Sequence, residues 1–279
     1  MTDAEQRYRL LDLSSVSMHT FIDDVLAAIS IRVDSTGADL AGDATATRHA
    51  AITGLLEEGP AERGLVEAQL GYSLSGPHTA AIIWREGTRD TADFRTVVEV
   101  IARGSHPLTV SADPSALWMW LPVELSPEAT EPLRAELSRF PGLRVGIGRA
   151  GRDLDGFRAS HRDALATRQV LARLGSSRPV THFRDVQLVS LLATDLARAS
   201  SFLRDTLGAL LDADVEIQRT VDTYIAEHFN TSRTAARLYT HRNTVVRRLA
   251  RADELLPRPL SRNHVEVAAA LAIVRLSRE

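Results

Sequence analysis

The sequence predicts a multidomain α+β protein: a helical N-terminal segment, a small α/β domain and an all-α C-terminal domain. Three observations carry this. First, the apolar pattern changes along the chain. It has helical spacing up to about residue 70, short apolar runs interleaved with helices over 73–185, and helical spacing again beyond. Second, 279 residues are more than one core usually organises. Third, charge is unevenly placed. Glu216 to Glu279 holds 11 Arg against 7 acids, net +4, whereas Met1 to Val215 is net −7 and the whole chain −3. A basic end on an acidic body suits a molecule that meets a polyanion with one end only.

The elements follow in order. Residues 1–72 read as a helical regulatory segment. FIDDVLAAI, from Phe21, and RHAAITGLLEE, from Arg48, are amphipathic, with STGADLAGD between them as a loop or helix start. GYSLSGPH, Gly71 to His78, is a turn-rich boundary. TAAIIW (Thr79 to Trp84) has strand length, and DFRTVVEVIARG (Asp93 to Gly104) is an amphipathic helix stopped by Gly. PLTVSADPSALWMWLPV gives two strands around a turn at Ala112–Ser115, with Trp118 and Trp120 on one face. Ser126 is the expected N-cap of the next helix, with Pro127 at its first position. LRVGIG from Leu143 is a strand, FRASHRDALATRQVLARLG from Phe157 a long helix ending at Gly175, and PVTHF a last short strand. Residues 186–215 are connecting helices, VQLVSLLATDLARA and SSFLRDTLGALLDAD. Residues 216–279 form the C-terminal helical domain.

Composition narrows the function classes. Hydrophobic content of 44% and charge of 25% are those of an ordinary globular chain. With no cysteine, disulfides, thiolate zinc sites and a cysteine nucleophile are excluded, and a reducing cytoplasm fits. The start, MTDAEQRYRLLDLSS, lacks the basic end and apolar stretch of a secretory leader. No apolar run approaches the roughly 18 residues of a membrane span. The expected location is the cytoplasm, with no membrane partner.

The densest chemistry lies in TSRTAARLYTHRNTVVRRLAR, where Thr231 to Arg251 holds six Arg and no acid. Two short helices, Ser232–Leu238 and about His241–Leu255, joined by a tight turn at Tyr239–Thr240, have the shape of a helix-turn-helix. The small Ala235 and Ala236 let the second helix cross closely, and Thr240 is its expected N-cap. On a wheel of about 100° per residue, Val245, Leu249 and Ala252 form the packing side, and Asn243 and Arg247 fall opposite. Asn binds adenine and Arg binds guanine in bidentate fashion. The candidate DNA-contacting set is Arg233, Thr240, His241, Arg242, Asn243, Thr244, Arg247, Arg248 and Arg251. Arg242, Arg248 and Arg251 flank the outward pair and are the expected phosphate contacts. His241, at the helix start, is either a phosphate contact or a cap. The competing reading is a solvated arginine face.

From Leu238 to Leu276 the sequence resembles the C-terminal helix-turn-helix of the PucR/CdaR family of bacterial transcription regulators. The resemblance rests on Thr234-Ala235, Leu238, the block His241-Arg242-Asn243-Thr244-Val245, Arg248-Leu249, Glu254-Leu255 and a closing Ala/Leu-rich helix. The family's usual aromatic is here Arg247, which adds positive charge on the outward face. Upstream, LGYSLSGPHTAAIIW and VGIGRAGRDLDGFRASHRDALATRQVLA look like parts of the family's central domain, which is GGDEF-like but not catalytic. Where the signature turn falls, this chain has Ser111-Ala112-Asp113-Pro114-Ser115, without the paired glycines and the Asp/Glu pair. The resemblance covers about residues 70–279. It implies a regulator that binds double-stranded DNA and is not an enzyme, with no cofactor. It further implies a response to an unknown small-molecule effector or protein partner. One small recognition helix gives limited affinity, so a homodimer or higher homo-oligomer is expected.

Other signals point less clearly. Gly146-Ile147-Gly148-Arg149-Ala150-Gly151 is a literal GxGxxG after a strand, but Arg152-Asp153-Leu154-Asp155-Gly156 intervenes where a dinucleotide site needs a helix at once. Its bland reading is a strand end before the long helix. The nine histidines form no His-x-x-x-His pair, and GYSLSG is not a hydrolase elbow. Trp118 and Trp120 read first as sheet packing and second as the wall of a ligand pocket or dimer surface. Two rival classes stay open: a nucleotide-binding enzyme using the α/β domain, and an interaction module gripping an acidic partner.

Overall fold

The structure is a computed structural model that describes residues 41–57, 63–85, 92–113 and 115–278. The helix expected at Phe21 lies outside the described residues. Helices α1 (Ala41–Leu56) and α2 (Arg63–Leu70) lead to β1 (Pro77–Arg85), α3 (Ala92–Ala102), β2 (Leu108–Asp113), β3 (Ala116–Leu121), α4 (Glu131–Leu137) and β4 (Leu143–Ile147). Next come β5 (Gly151–Arg152), α5 (Asp153–Leu174), β6 (Val180–His182), α6 (Phe183–Leu192) and α7 (Leu196–Leu207). After a 3-10 turn at Gly208–Asp212, the chain closes with α8 (Val215–Ala226), α9 (Thr231–Arg237), α10 (Arg242–Leu255) and α11 (Leu260–Arg278).

The sheet has order β2-β3-β1-β4-β6, with β5 beside β1; only the β4–β6 pair is parallel. β1 is central and buried on both faces, which is why TAAIIW is continuously apolar rather than alternating. On one face Ala80, Ile82, Trp84 and Trp120 pack against Phe157 and Ala164 of α5 and Ile52 and Leu55 of α1. On the other, Ala81, Ile83, Met119 and Val145 pack against Val97 of α3 and Leu133 and Leu137 of α4. Val186, Val189 and Ala193 join the first face, so packing on the sheet runs past residue 185.

Local differences from the sequence reading have physical reasons. Helix α5 starts at Asp153, ahead of the expected Phe157. The Asp153 carboxylate accepts from the Gly76 backbone N–H (3.0 Å), and its own N–H donates to the Gly76 carbonyl (2.8 Å), pinning the helix start beside β1. Its end at Gly175 (φ 63°) is the expected glycine stop. The Ser126 hydroxyl accepts from the Ala129 N–H (3.3 Å), but the element that starts there is a 3-10 turn, Glu128–Thr130, with Pro127 at its cap position, and α4 is capped at Thr130. Helices α6 and α7 divide at Asp195, not after Ala199. Asp195 accepts from the Arg198 N–H (3.0 Å) and so caps α7.

The GxGxxG stretch is a packing device. A Cβ on Gly148 would sit 1.9 Å from the Ser160 carbonyl oxygen, and one on Gly151 would sit 2.5 Å from the Gly156 Cα. The segment after β4 and helix α5 therefore touch backbone to backbone. This favours the bland reading of that motif.

A third core joins Leu207 and Leu210 to Val221 of α8, Ala252 of α10 and Val267, Ala270, Leu271 and Val274 of α11. Ile273 and Leu276 of the same α11 belong to the sheet-domain core. One helix therefore serves both cores. Among the described residues no helix is long and apolar enough to cross a membrane.

Candidate nucleic-acid interface

Asn230 caps α9, its side-chain oxygen accepting from the Ser232 and Arg233 backbone N–H groups at 3.0 Å each. Of the expected small pair, Ala235 is buried, while Ala236 is exposed. The turn is a Schellman motif: the Tyr239 N–H donates to the Ala236 carbonyl (3.2 Å) and the Thr240 N–H to the Ala235 carbonyl (2.9 Å).

The N-cap of α10 is His241, one residue later than the expected Thr240. His241 is extended (φ −81°, ψ 145°), and its carbonyl accepts from the Thr244 and Val245 N–H groups. Thr240, whose N–H closes the preceding turn, lies one residue before the cap position. The His241 imidazole makes no capping bond and is exposed.

Packing then fixes the face. Val245 and Ala252 are fully buried and Leu249 half-buried, as the wheel required. Asn243 and Arg247 are exposed, with no hydrogen bond or ion pair to any described residue. Thr240 and Thr244 are half-buried at the rim. Arg242 stays exposed, donating to the Thr231 hydroxyl (3.3 Å), and Arg251 pairs at the surface with Glu254 (2.7 Å). Arg233 donates to the Glu227 carbonyl (3.1 Å) while remaining exposed. Surface pairs of this kind hold their cations weakly.

Arg248 departs from its expected role. Its guanidinium lies 3.1 Å from the Glu216 carboxylate and 3.4 Å from the Thr220 hydroxyl, with the side chain only 23% exposed. It latches α10 to α8 instead of standing with the outward cations. Glu216 lies outside the acid-free stretch, so local sequence could not reveal the pair. Two residues were not singled out from sequence. Arg237 is exposed without a described partner, and Tyr239 is 97% exposed.

In the sheet domain the two tryptophans singled out from sequence are engaged. Trp120 stacks on Phe157 (4.5 Å between centroids) and its Nε1–H donates to the Phe157 carbonyl (3.2 Å). Trp118 is half-buried against His161 and His49. Trp120 thus lies in the core and Trp118 packs against its edge. Among the described residues no three His, Asp or Glu side chains are grouped to hold a metal ion.

Comparison with known proteins matches residues 217–274 to the PucR C-terminal helix-turn-helix domain and residues 58–170 to the GGDEF-like domain. The chain thus carries a PucR-type C-terminal helix-turn-helix domain and a GGDEF-like domain. The purine catabolism regulatory protein of Bacillus subtilis (strain 168) is 36% identical over 98 residues, covering 34% of this chain and 18% of that protein. The match thus spans about a fifth of that PucR protein's length. Among solved structures, the regulator of polyketide synthase expression from Bifidobacterium adolescentis aligns over 88% of this chain and 97% of that one. Its identity is 17% and its TM-score 0.42, too loose a likeness to instruct the PucR-type interface.

Proposed function

We propose that this chain is a DNA-binding transcriptional regulator whose helix α10 reads the major groove. The observation that carries the reading is the exposed, unpartnered pair Asn243 and Arg247, held outward by the burial of Val245 beneath them. Asn243 is assigned to adenine and Arg247 to guanine. Arg233, His241, Arg242 and Arg251 are assigned to phosphates, with Thr240 and Thr244 at the groove edge. Arg248 is left to its pair with Glu216.

The GGDEF-like domain is assigned a non-catalytic role. Its β2–β3 turn offers one acid, Asp113, whose carboxylate accepts from the Ser115 N–H and hydroxyl (2.6 Å each) and lies 3.6 Å from Arg168. Signals reach DNA as a population shift in a homodimer, the spacing of two helix-turn-helix heads being matched to two half-sites. Helix α11, shared by both cores, is the route along which the sheet domain biases the heads. The small-molecule effector or protein partner acts on the sheet domain or on residues before it.

The test is fluorescence anisotropy with a duplex library and nonspecific competitor over a range of salt, beside Asn243→Ala and Arg247→Ala. Enrichment of particular sequences, a steep salt dependence and loss of preference in both variants support the reading. Binding that ignores sequence and both substitutions sinks it. Analytical ultracentrifugation showing only monomer on DNA sinks the dimer.

A further inference from the structure

The turn of the helix-turn-helix contains an unusual choice. In a Schellman motif the residue after the C-cap takes a left-handed conformation, which glycine adopts without cost and a Cβ-bearing residue does not. Here that residue is Tyr239, at φ 50°.

A second Schellman motif closes α8 and gives the comparison. There the His228 N–H donates to the Ile225 carbonyl (3.1 Å) and the Phe229 N–H to the Tyr224 carbonyl (2.9 Å), with His228 at φ 53° and Phe229 at φ 60°. That turn is offset by packing. The Phe229 ring lies edge-on to Tyr224 (5.5 Å) and to His264 (5.2 Å). Tyr239 has nothing equivalent. It is 97% exposed, and its ring and hydroxyl meet no described residue. Folding by itself therefore favours glycine at this position, and the phenol contributes nothing inside the domain.

Its neighbours show where the side chain is useful. Tyr239 stands between the exposed Arg237 and the exposed His241 and Arg242, directly before the N-terminal turn that carries Asn243. In a docked helix-turn-helix that end of the second helix meets the base edges, and the residues around it meet the strand backbone.

We propose that Tyr239 is a DNA-backbone contact, its ring lying against a deoxyribose and its hydroxyl donating to a phosphate oxygen at the edge of the groove entered by α10. This rests on the DNA-binding reading above. A phosphate contact carries no sequence information, so its loss weakens all duplexes alike.

The full chain, Tyr239→Gly and Tyr239→Phe are compared by anisotropy on the preferred duplex and on an unrelated one, together with their thermal unfolding midpoints. Tyr239→Gly is expected to keep or raise the midpoint, because glycine relieves the left-handed strain. Its Kd is expected to rise about tenfold on both duplexes. Tyr239→Phe keeps the ring and loses the hydroxyl, so its Kd rises on both duplexes by a smaller factor. Wild-type affinity in either variant overturns the proposal. So does a lowered midpoint in Tyr239→Gly, which would place the ring in an internal role. An unaltered chain that binds no duplex at all sinks the regulator reading itself, a result distinct from either of these.

Discussion

Arg149 in the sheet domain and Arg247 in α10 carry the same side chain and lead different lives. Arg149 donates to both oxygens of Asp163, at 2.7 and 3.2 Å, and lies over the Phe183 ring at 4.9 Å. The Asp163 carboxylate raises its pKa further above the ordinary arginine value. Arg247 has no described partner and faces solvent. The histidines divide the same way. His161 is enclosed by Trp118 (4.5 Å) and Trp120 (5.1 Å), and burial pulls its pKa from 6.5 to about 4. His241 stands exposed at a helix start. Both domains also leave cations in water: Arg152 and Arg162 of the sheet domain are exposed without a described partner, as Arg247 is. Residue type and spacing alone do not mark a functional site. What sets α10 apart is that its unpartnered Asn243 and Arg247 share one face of a helix whose opposite face is buried.

The comparison breaks most severely at Gly148. A Cβ there meets the Ser160 backbone oxygen at 1.9 Å, which no side-chain adjustment relieves. Gly148→Ala is expected to lower the thermal midpoint by at least about 10 °C, from roughly 4 kcal/mol of destabilisation. A variant that melts like the parent would show that strand and helix do not touch this closely.

Acid is the next largest lever. His161 titrates near 4 when folded and near 6.5 when unfolded, so below 6.5 the unfolded chain binds the extra proton. Its contribution, roughly 3 kcal/mol, is fully present above pH 6.5 and is lost as pH falls toward 4. His78 and His182, also lowered by burial, act in the same direction. Urea midpoints measured from pH 7.5 down to 4.5 should fall, and His161→Phe should flatten that slope; an unchanged slope places His161 in contact with water.

On the other side of the comparison, Asn243→Ala and Arg247→Ala should each reduce discrimination between preferred and unrelated duplex by about ten- to a hundredfold in competition anisotropy. Neither should move the melting midpoint, because neither side chain bonds inside the domain. The smallest contrast separates two neighbouring arginines. Arg251→Ala should lower the salt slope of binding by about 0.9 and leave stability alone. Arg248→Ala should cost about 1 kcal/mol of stability, read as a midpoint lower by a few degrees, and leave the salt slope alone. The opposite result would place Arg248 back among the DNA contacts.

Much of this was legible before any tertiary structure. The strand cores, the glycine stop at Gly175 and the buried side of α10 follow from period and punctuation, which act over a few residues. Helix starts were harder. Asp153 begins α5 because it is tied to Gly76, far away in sequence, and the turn before α10 ends at Thr240, which puts His241 at the cap position. The first 40 residues contribute readings that lie outside the described structure.

The sequence by itself determined that an acid-free run of six arginines, Thr231 to Arg251, would lie near the end of an acidic chain, and that Asn243 and Arg247 would face away from the apolar stripe of its second helix. Periodicity and local charge are sufficient for both. Only the tertiary structure decided which cations are free, that the GxGxxG is a close backbone contact, that one helix serves two cores, and that Tyr239 holds a strained turn with its ring in solvent. Each of these depends on partners distant in the chain, and a group's availability is set by the partner it meets rather than by its own identity.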